Sequence, residues 1–317
     1  MSTIAVDRET IAASRYHGTG NDFLLVDADE PVPKRRSFAR RVCDPDEGFG
    51  VDGVLFLALE PEFAPPRVVM TLVQPDGSVA PMCGNGARCA AAWAMERTGA
   101  DAVMIDTQAG TRPAERVSAD ADGPAQIAVE MNRPAFDPAS VPVSADAPVV
   151  DRPVSDVVDL DADSRVRSLD GDGPLRITAV DTGVPHVVAF VEDVDSVELD
   201  RFGPAIRHAE AFPRGTNVTL ASPTSTLAAG SSDSCVFDQR TYERGVEGET
   251  AACGTGAVAI AAVASRLAYA PRSGEWELHP PGGTLRVRFD AHHRAVLEGP
   301  VVHETDHELP VSECECR

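Results

Sequence analysis

Cys83-Gly-Asn-Gly-Ala-Arg-Cys-Ala-Ala-Ala-Trp-Ala-Met95 is echoed further along the chain by Cys253-Gly-Thr-Gly-Ala-Val-Ala-Ile-Ala-Ala-Val-Ala264. The offset is 253 − 83 = 170 residues. Without gaps, Cys83/Cys253, Gly84/Gly254, Gly86/Gly256, Ala87/Ala257, Ala91/Ala261, Ala92/Ala262 and Ala94/Ala264 are identical. Both stretches are rich in alanine, the best helix former, and free of Pro and Gly after the first turn. They predict buried helices over Ala87–Met95 and Ala257–Ala268. A self-similar segment at a separation of about one domain length points to two similar domains. The full length of 317 residues agrees with that count. Each domain then offers one cysteine just before a helix.

Apolar runs around these helices predict strands at Phe23–Val26, Val54–Leu59 and Val68–Val73 in the first half. The second half repeats the pattern at Leu175–Val180, Val187–Val191, Asn217–Leu220 and Val236–Tyr242, with late strands at Leu285–Phe289 and Ala295–Leu297. The mixture is α+β, with strands clustered before one long helix in each half. Between the halves, Asp137–Pro174 is dense in Asp, Pro and Ser. It reads as a connecting region with exposed, partly irregular structure. A flexible linker and an edge hairpin built on its short Val pairs both fit it.

Composition excludes several function classes. Against 50 Asp+Glu stand 28 Lys+Arg, a formal net charge of −22. Such a chain repels phosphate backbones and anionic lipid, so no nucleic-acid or membrane partner is expected. The N-terminal stretch lacks the apolar core of a signal peptide. The apolar run Ala257–Ala264 is far shorter than the ~20 residues that span a bilayer. A soluble, cytoplasmic protein is the expectation. There, seven cysteines should be mostly thiols. Zinc is a weak alternative, because Cys83/Cys89 and Cys314/Cys316 miss the usual Cys-x2–4-Cys spacing. No Cys-x-x-Cys redox pair is present. Cys43, Cys89 and Cys235 read as packing residues, and Cys314 and Cys316 as frayed terminal ones.

A cysteine at a helix N-terminus sits at the positive end of the macrodipole, where unpaired N–H groups stabilise its thiolate. The glycines of Cys-Gly-x-Gly let a ligand approach those N–H groups, which can also bind a carboxylate. Two such cysteines facing one carbon from opposite sides could invert it: one thiolate removes a proton and the opposite thiol supplies another. Donors on the carboxylate would stabilise the carbanion as an enediolate. This is the chemistry of a racemase or epimerase.

At these residues the chain resembles the diaminopimelate epimerase family. The resemblance covers nearly the whole chain. It is carried by His17-Gly-Thr-Gly-Asn21-Asp-Phe23, Gly48-Phe-Gly-Val-Asp-Gly53, Asp76-Gly-Ser and Met82-Cys-Gly-Asn-Gly-Ala-Arg-Cys89. In the second half it is carried by Gly183-Val-Pro-His186, Gly215-Thr-Asn217, Tyr242-Glu-Arg-Gly245 and Gly248-Glu-Thr-Ala-Ala-Cys-Gly-Thr-Gly256. The resemblance implies two pseudo-symmetric α+β domains, each a mixed sheet around a central helix, closing over the substrate. The implied domains are residues 1–131, with 299–317 returning to them, and residues 132–298. The implied acid–base pair is Cys83 and Cys253. Gly84 and Asn85, with Gly254 and Thr255, would hold the reacting carboxylate through helix-terminal N–H groups. Asn21 and Asn217 would hydrogen-bond the substrate, although each also fits a turn. Arg244 would clamp a carboxylate through its planar fork, and Glu243 would accept from an ammonium group. Glu243 and His186 would tune the cysteines, with Cys83 the candidate for His186. No cofactor is implied, and Lys34, the single lysine, is a poor Schiff-base candidate.

Two positions depart from the family pattern. Gln74 stands where the family usually has Asn, and keeps both amide functions on a longer arm. Val184 stands where many members have Asn, and cannot hydrogen-bond through its side chain. The leading expectation is therefore cofactor-independent epimerisation of LL- to meso-diaminopimelate, in lysine biosynthesis. The alternatives are a racemase of another amino acid on the same scaffold and a non-catalytic ligand-binding relative. The sequence leaves homodimerisation open. The acidic surface, with Asp (29) above Glu (21), suits high salt, which screens self-repulsion. Stability and activity are expected to rise from low to molar salt in a salt titration, and full stability at low salt overturns that reading.

Overall fold

The computed structural model describes residues 10–117, 123–159, 173–224, 235–269 and 274–310. Cys314 and Cys316 lie outside the described residues, as does part of Asp137–Pro174. The chain forms two units, residues 1–129 with 300–317, and residues 130–299.

In chain order the first unit contains β1 (Thr10–Gly18), β2 (Asn21–Asp27), α1 (Arg35–Val42), β3 (Gly53–Glu60), β4 (Arg67–Val73), β5 (Val79–Ala80), α2 (Gly84–Thr98), β6 (Ala102–Thr107), β7 (Gly110–Val117) and β8 (Ala125–Glu130). The second contains β9 (Arg152–Pro153), β10 (Arg176–Asp181), β11 (Pro185–Phe190), α3 (Leu199–Arg207), β12 (Asn217–Pro223), β13 (Cys235–Glu243), β14 (Gly248–Glu249), α4 (Gly254–Arg266), β15 (Glu275–His279) and β16 (Leu285–Phe289). The last strand, β17 (Ala295–Pro310), begins in the second unit, where it pairs with β16, and ends in the first, where it pairs with β1.

Strand pairing makes the repeat visible as topology. In the first unit β17, β1 and β2 run antiparallel in succession, β2 and β3 are parallel, β3 and β4 antiparallel, β4 and β6 parallel, and β6, β7 and β8 antiparallel. In the second, β9, β10 and β11 are antiparallel, β11 and β12 parallel, β12 and β13 antiparallel, β13 and β15 parallel, and β15, β16 and β17 antiparallel. The two orders are the same. Each also places a short helix before its first parallel neighbour and a longer, buried helix before its second. The α+β class expected from the sequence is the class found.

Helix α2 is buried from Gly84 to Met95 and packs on β1, β2, β3, β4, β6 and β7. A helix surrounded by a sheet in this way needs short side chains, and four of the five residues Ala90–Ala94 are alanine. The helix ends at Gly99, whose φ of 69° gives the left-handed C-cap that glycine adopts without strain. Helix α4 is likewise buried over Gly256–Ala264 and packs on β10, β11, β12 and β16. The described part of Asp137–Pro174 is not simply exposed: Val141, Val143, Val149, Val154 and Val158 are buried in the core of the second unit. Strand β9 within it pairs with β10. The recurring valines therefore belong to packed structure rather than to a free linker.

Helix α3 meets β13 closely. A Cβ on Gly203 would lie 2.6 to 2.8 Å from the Cβ and ring of Tyr242. Gly203→Ala is expected to destabilise the protein by roughly 1–3 kcal/mol, overpacking outweighing the helix propensity that alanine gains. Urea unfolding checks this, and an unchanged midpoint contradicts it.

Candidate active site

Both cysteines of the repeat are helix N-caps with extended backbones, Cys83 at φ −143° and Cys253 at φ −119°. Position 84 − 83 = 1 past each cap is glycine, and the third helical residue is glycine again. A Cβ on Gly256 would come within 2.9 Å of Gln239 Nε2 and 3.0 Å of Thr241 Oγ1, so this turn fits against its strand only without a side chain. The first-turn N–H groups of a helix have no partner within it. In α2 one of them, on Gly86, donates to Cys83 Sγ at 3.5 Å. Cys83 is half-buried and Cys253 is 4% exposed.

In the first unit an amide network lies at the start of α2, next to the cysteine cap. Asn85, the second residue of α2, donates through Nδ2 to Asn21 Oδ1. Asn21 Nδ2 donates to Asp52 Oδ2 at 3.3 Å, and the Asp22 N–H donates to the same oxygen at 2.8 Å. Burial raises the Asp52 carboxyl above its usual range, opposed by these two hydrogen bonds. Asn21, Gly84, Asn85 and Cys83 are thus brought together. Gln74 belongs to the β4–β5 turn, where its Oε1 accepts from Ser78 Oγ at 3.0 Å.

In the second unit the connections are hydroxyl and imidazole. Thr255, the second residue of α4, has its Oγ1 3.4 Å from Cys253 Sγ and 3.0 Å from His186 Nε2. His186 Nδ1 lies 3.0 Å from Thr219 Oγ1, and Asn217 Nδ2 lies 3.3 Å from Nε2. Asn217 Oδ1 accepts from the Arg244 N–H at 2.8 Å. His186, expected beside a cysteine with Cys83 as the candidate, makes these contacts in the unit of Cys253. It is fully buried, and burial with the nearby Arg244 charge pulls it down to about 3. It is therefore neutral at physiological pH and acts through hydrogen bonds, not charge. Burial pushes the Cys253 thiol up, and the Glu243 carboxylate pushes it further, against the Thr255 hydroxyl. Glu243 also accepts from Thr250 Oγ1.

Arg244 is half-buried, and burial together with Arg207 and Arg214 disfavours its charge. Its Nη1 donates to the Arg214 carbonyl at 3.1 Å, and Arg207 pairs with Glu247 at 2.8 Å. These three guanidinium groups, with Asp181 and Glu247 nearby, make a positive corner suited to a carboxylate. Arg207 and Arg214 escaped the sequence reading. Arg214 directly precedes Gly215-Thr-Asn217, so its place beside that motif was the available signal. Val184 sits in the β10–β11 turn, where its carbonyl accepts from the Thr182 N–H at 3.1 Å. Among the described residues no group of three or more His, Cys, Asp or Glu is placed to hold a metal ion.

The buried neutral His186 makes stability depend on pH. Its folded value lies below the unfolded one of about 6.5, so the unfolded chain binds more protons between them. The stability contributed is complete above pH 6.5 and is lost as pH falls through that window, at up to about 1.4 kcal/mol per pH unit. His186→Gln should flatten this acid limb in urea unfolding measured from pH 7 to pH 4. An unaltered slope in the variant contradicts it.

The family model described as diaminopimelate epimerase matches residues 13–136 and 178–304. The diaminopimelate epimerase of Methanocella arvoryzae is 37% identical over 310 residues, 95% of this chain and 97% of the relative. That of Methanothrix thermoacetophila is 38% identical over 294 residues, 91% and 92% of the two chains. Solved structures share the fold at lower identity. A phenazine biosynthesis protein of the PhzF family from Bacillus anthracis matches with TM-score 0.64 and 16% identity, over 95% of this chain and 99% of that one. A hydroxyproline epimerase from Agrobacterium vitis matches with TM-score 0.63 and 15% identity, over 95% and 91%. By the family model and by identity along nearly its whole length, the chain belongs to the diaminopimelate epimerase family.

Proposed function

We propose that this chain is an isomerase that interconverts LL- and meso-diaminopimelate in lysine biosynthesis, with Cys83 and Cys253 as its acid–base pair. The observation that carries the reading is the duplicated cap. In a chain of this family, two units of one topology each end the same loop in a cysteine at the N-terminus of a buried helix.

The physical demand is severe. The hydrogen on the α-carbon of an amino acid is far less acidic than a thiol, whose free pKa is about 8.5. A thiolate can remove it only if the carbanion's charge moves onto the carboxylate and meets preorganised donors. The helix-terminal N–H groups at Gly84, Asn85, Gly254 and Thr255 suit that role, since they need no reorganisation when charge develops. The electron sink is then the substrate's own carboxylate, and the reaction needs no cofactor. One cysteine takes the proton from one face, and the other gives its proton to the opposite face. The exchanged protonation states make the enzyme ready for the reverse direction. Asn21 and Asn217 orient the amino-acid end, Glu243 accepts from an ammonium group, and Arg244 with its guanidinium neighbours binds the far carboxylate. Gln74 takes the place of the usual amide. The enzyme acts in the cytoplasm on a free amino acid, as a monomer or a homodimer. Among the described residues no helix is long and apolar enough to cross a membrane.

A second reading, a racemase of another amino acid, draws on Gln74, whose amide oxygen is already engaged by Ser78, and on the apolar Val184. One assay separates the two. In D2O, wild type should incorporate deuterium at the α-carbon of LL-diaminopimelate, while Cys83→Ser and Cys253→Ser should each lose about 10³-fold or more in turnover. Unchanged turnover in either variant refutes the two-cysteine mechanism. Exchange with another amino acid and none with diaminopimelate favours the second reading.

A further inference from the structure

Arg88 lies in the second turn of α2 and has no exposed surface. Its Nη2 donates to Thr19 Oγ1 at 2.6 Å. Its Nε and Nη1 are buried without a hydrogen-bond partner among the described residues. Other partly buried arginines of the chain are paired with carboxylates: Arg15 with Asp22 and Glu304, Arg67 with Glu60, and Arg240 with both oxygens of Glu249. Burying donors unpaired is costly, so the contact with Thr19 calls for a reason.

The backbone at Thr19 gives one. Strands β1 and β2 are joined by a two-residue turn, Thr19-Gly20, closed by the pair Gly18 and Asn21. Both turn residues have positive φ, 56° at Thr19 and 79° at Gly20, the signature of a type I′ turn. Asn-Gly is the usual sequence for that turn. A β-branched side chain is poorly suited to left-handed backbone, so Thr19 is a strained choice there. Thr19 is also buried, and Arg88 holds its hydroxyl.

The turn leads directly into Asn21. Asn21 Oδ1 accepts from Asn85 Nδ2, and Asn21 Nδ2 donates to Asp52 Oδ2 at 3.3 Å. Asn85 and Arg88 are three residues apart and so share a face of α2. That face grips the hairpin twice, at Thr19 and at Asn21, on either side of Gly20. The hairpin end lies directly on it. A Cβ on Gly18 would lie 3.1 Å from the Asn85 carbonyl oxygen, 3.4 Å from Arg88 Nη2 and 3.4 Å from Cys89 Sγ. Without the grip on Thr19, the first residue of the turn favours other conformations, and Asn21 moves with it.

The second unit supplies the control. Its strands β10 and β11 stand where β1 and β2 do, and their turn also begins Thr-Gly, at Thr182-Gly183. Thr182 does not share the left-handed φ. Its buried hydroxyl donates to the Thr255 carbonyl, in the first turn of α4, at 3.0 Å. That turn docks on its helix through its own hydroxyl. The helix position equivalent to Arg88 is 88 + 170 = 258, a buried valine. The arginine is present where the threonine is left-handed and absent where it is not.

We propose that Arg88 is a positioning residue that clamps Thr19 in the left-handed turn and so presents Asn21 to the substrate. This rests on the reading of Asn21 as a substrate contact. When the clamp is lost, only molecules with a correctly formed turn bind well, so apparent affinity falls by the fraction that remains competent. The chemical step in the bound complex is unaffected.

Two variants of the full chain test it: Arg88→Met, and Arg88→Met combined with Thr19→Asn, since asparagine adopts the left-handed turn readily. Without substrate, amide hydrogen exchange is followed by mass spectrometry in a peptide spanning residues 17–23, with residues 179–186 as the reference from the second unit. Exchange in 17–23 should be about tenfold faster in Arg88→Met and return to the wild-type rate in the double variant, with 179–186 unmoved in both. In deuterium incorporation into LL-diaminopimelate, KM should rise about tenfold in Arg88→Met, with kcat within about threefold of wild type, and recover in the double variant. General destabilisation would instead lower the active fraction, and with it kcat, without moving KM. Unchanged exchange in 17–23 in folded Arg88→Met overturns the proposal, as does faster exchange with an unmoved KM. If Arg88→Met does not fold, the double variant decides: recovered folding and KM support the clamp, and failure to recover either overturns it. A wild type that does not turn over diaminopimelate defeats the epimerase reading, and the exchange rates then decide the clamp by themselves.

Discussion

A helix buried along most of its length cannot satisfy its first-turn N–H groups with bulk water, and that requirement organises both units. Side chains from neighbouring strands or a bound ligand must meet those groups. Helices α2 and α4 therefore need small residues along their bodies and glycines at their starts, where strand backbones and side chains crowd in. The usual caps, Ser, Thr, Asp and Asn, would do this better than cysteine, whose sulfur is a weak acceptor. Cys83 receives one N–H, at 3.5 Å, through that weak acceptor. Two helices of one protein that forgo the better cap at the same position give up stability there, which is how functional positions are expected to behave.

The units solve the same problem with different chemistry. The second helical residue is the anchor in both. In α2 it is Asn85, joined through Asn21 to the Asp52 carboxylate. In α4 it is Thr255, joined to His186 and through it to Thr219 and Asn217. Amides with a carboxylate behind them form a network with one dominant orientation, since Asp52 accepts only and so turns the Asn21 Nδ2 toward itself. Hydroxyls around a neutral imidazole can donate or accept at each link. The start of α2 is thus tied by directional amides, and the start of α4 largely by partners that can reverse.

The sequence made the helices legible because glycine at the start and alanine thereafter leave few other structures open. It also placed the runs Val54–Leu59 and Val68–Val73 within the strands β3 and β4. Strand β7 was invisible because Gly110–Val117 mixes Arg, Pro and Glu, and it shows little apolar alternation. Helix α3 was hidden by Gly203 and Pro204, which tertiary packing on Tyr242 and the core overrides. Within the site, motifs marked the residues that contact one another, such as Asn21 with Asn85 and His186 with Thr255. They did not mark Arg88. An arginine reads as surface, and only the structure reveals that it is buried, with Nε and Nη1 lacking a hydrogen-bond partner among the described residues.

The strongly acidic composition now has a consistent place beside a site for a carboxylate-bearing substrate. A net charge of −22 would slow the approach of any anion. A free diamino dicarboxylic acid, with two ammonium and two carboxylate groups, carries no net charge at neutral pH. It therefore feels little of the protein's overall field and responds to charges within about a Debye length. At that range the proposed site offers a carboxylate Arg207, Arg214 and Arg244, clustered at one corner. The outer surface is then free to carry carboxylates for solvation in salt without hindering encounter, because the substrate is read by local charge and not by the sum.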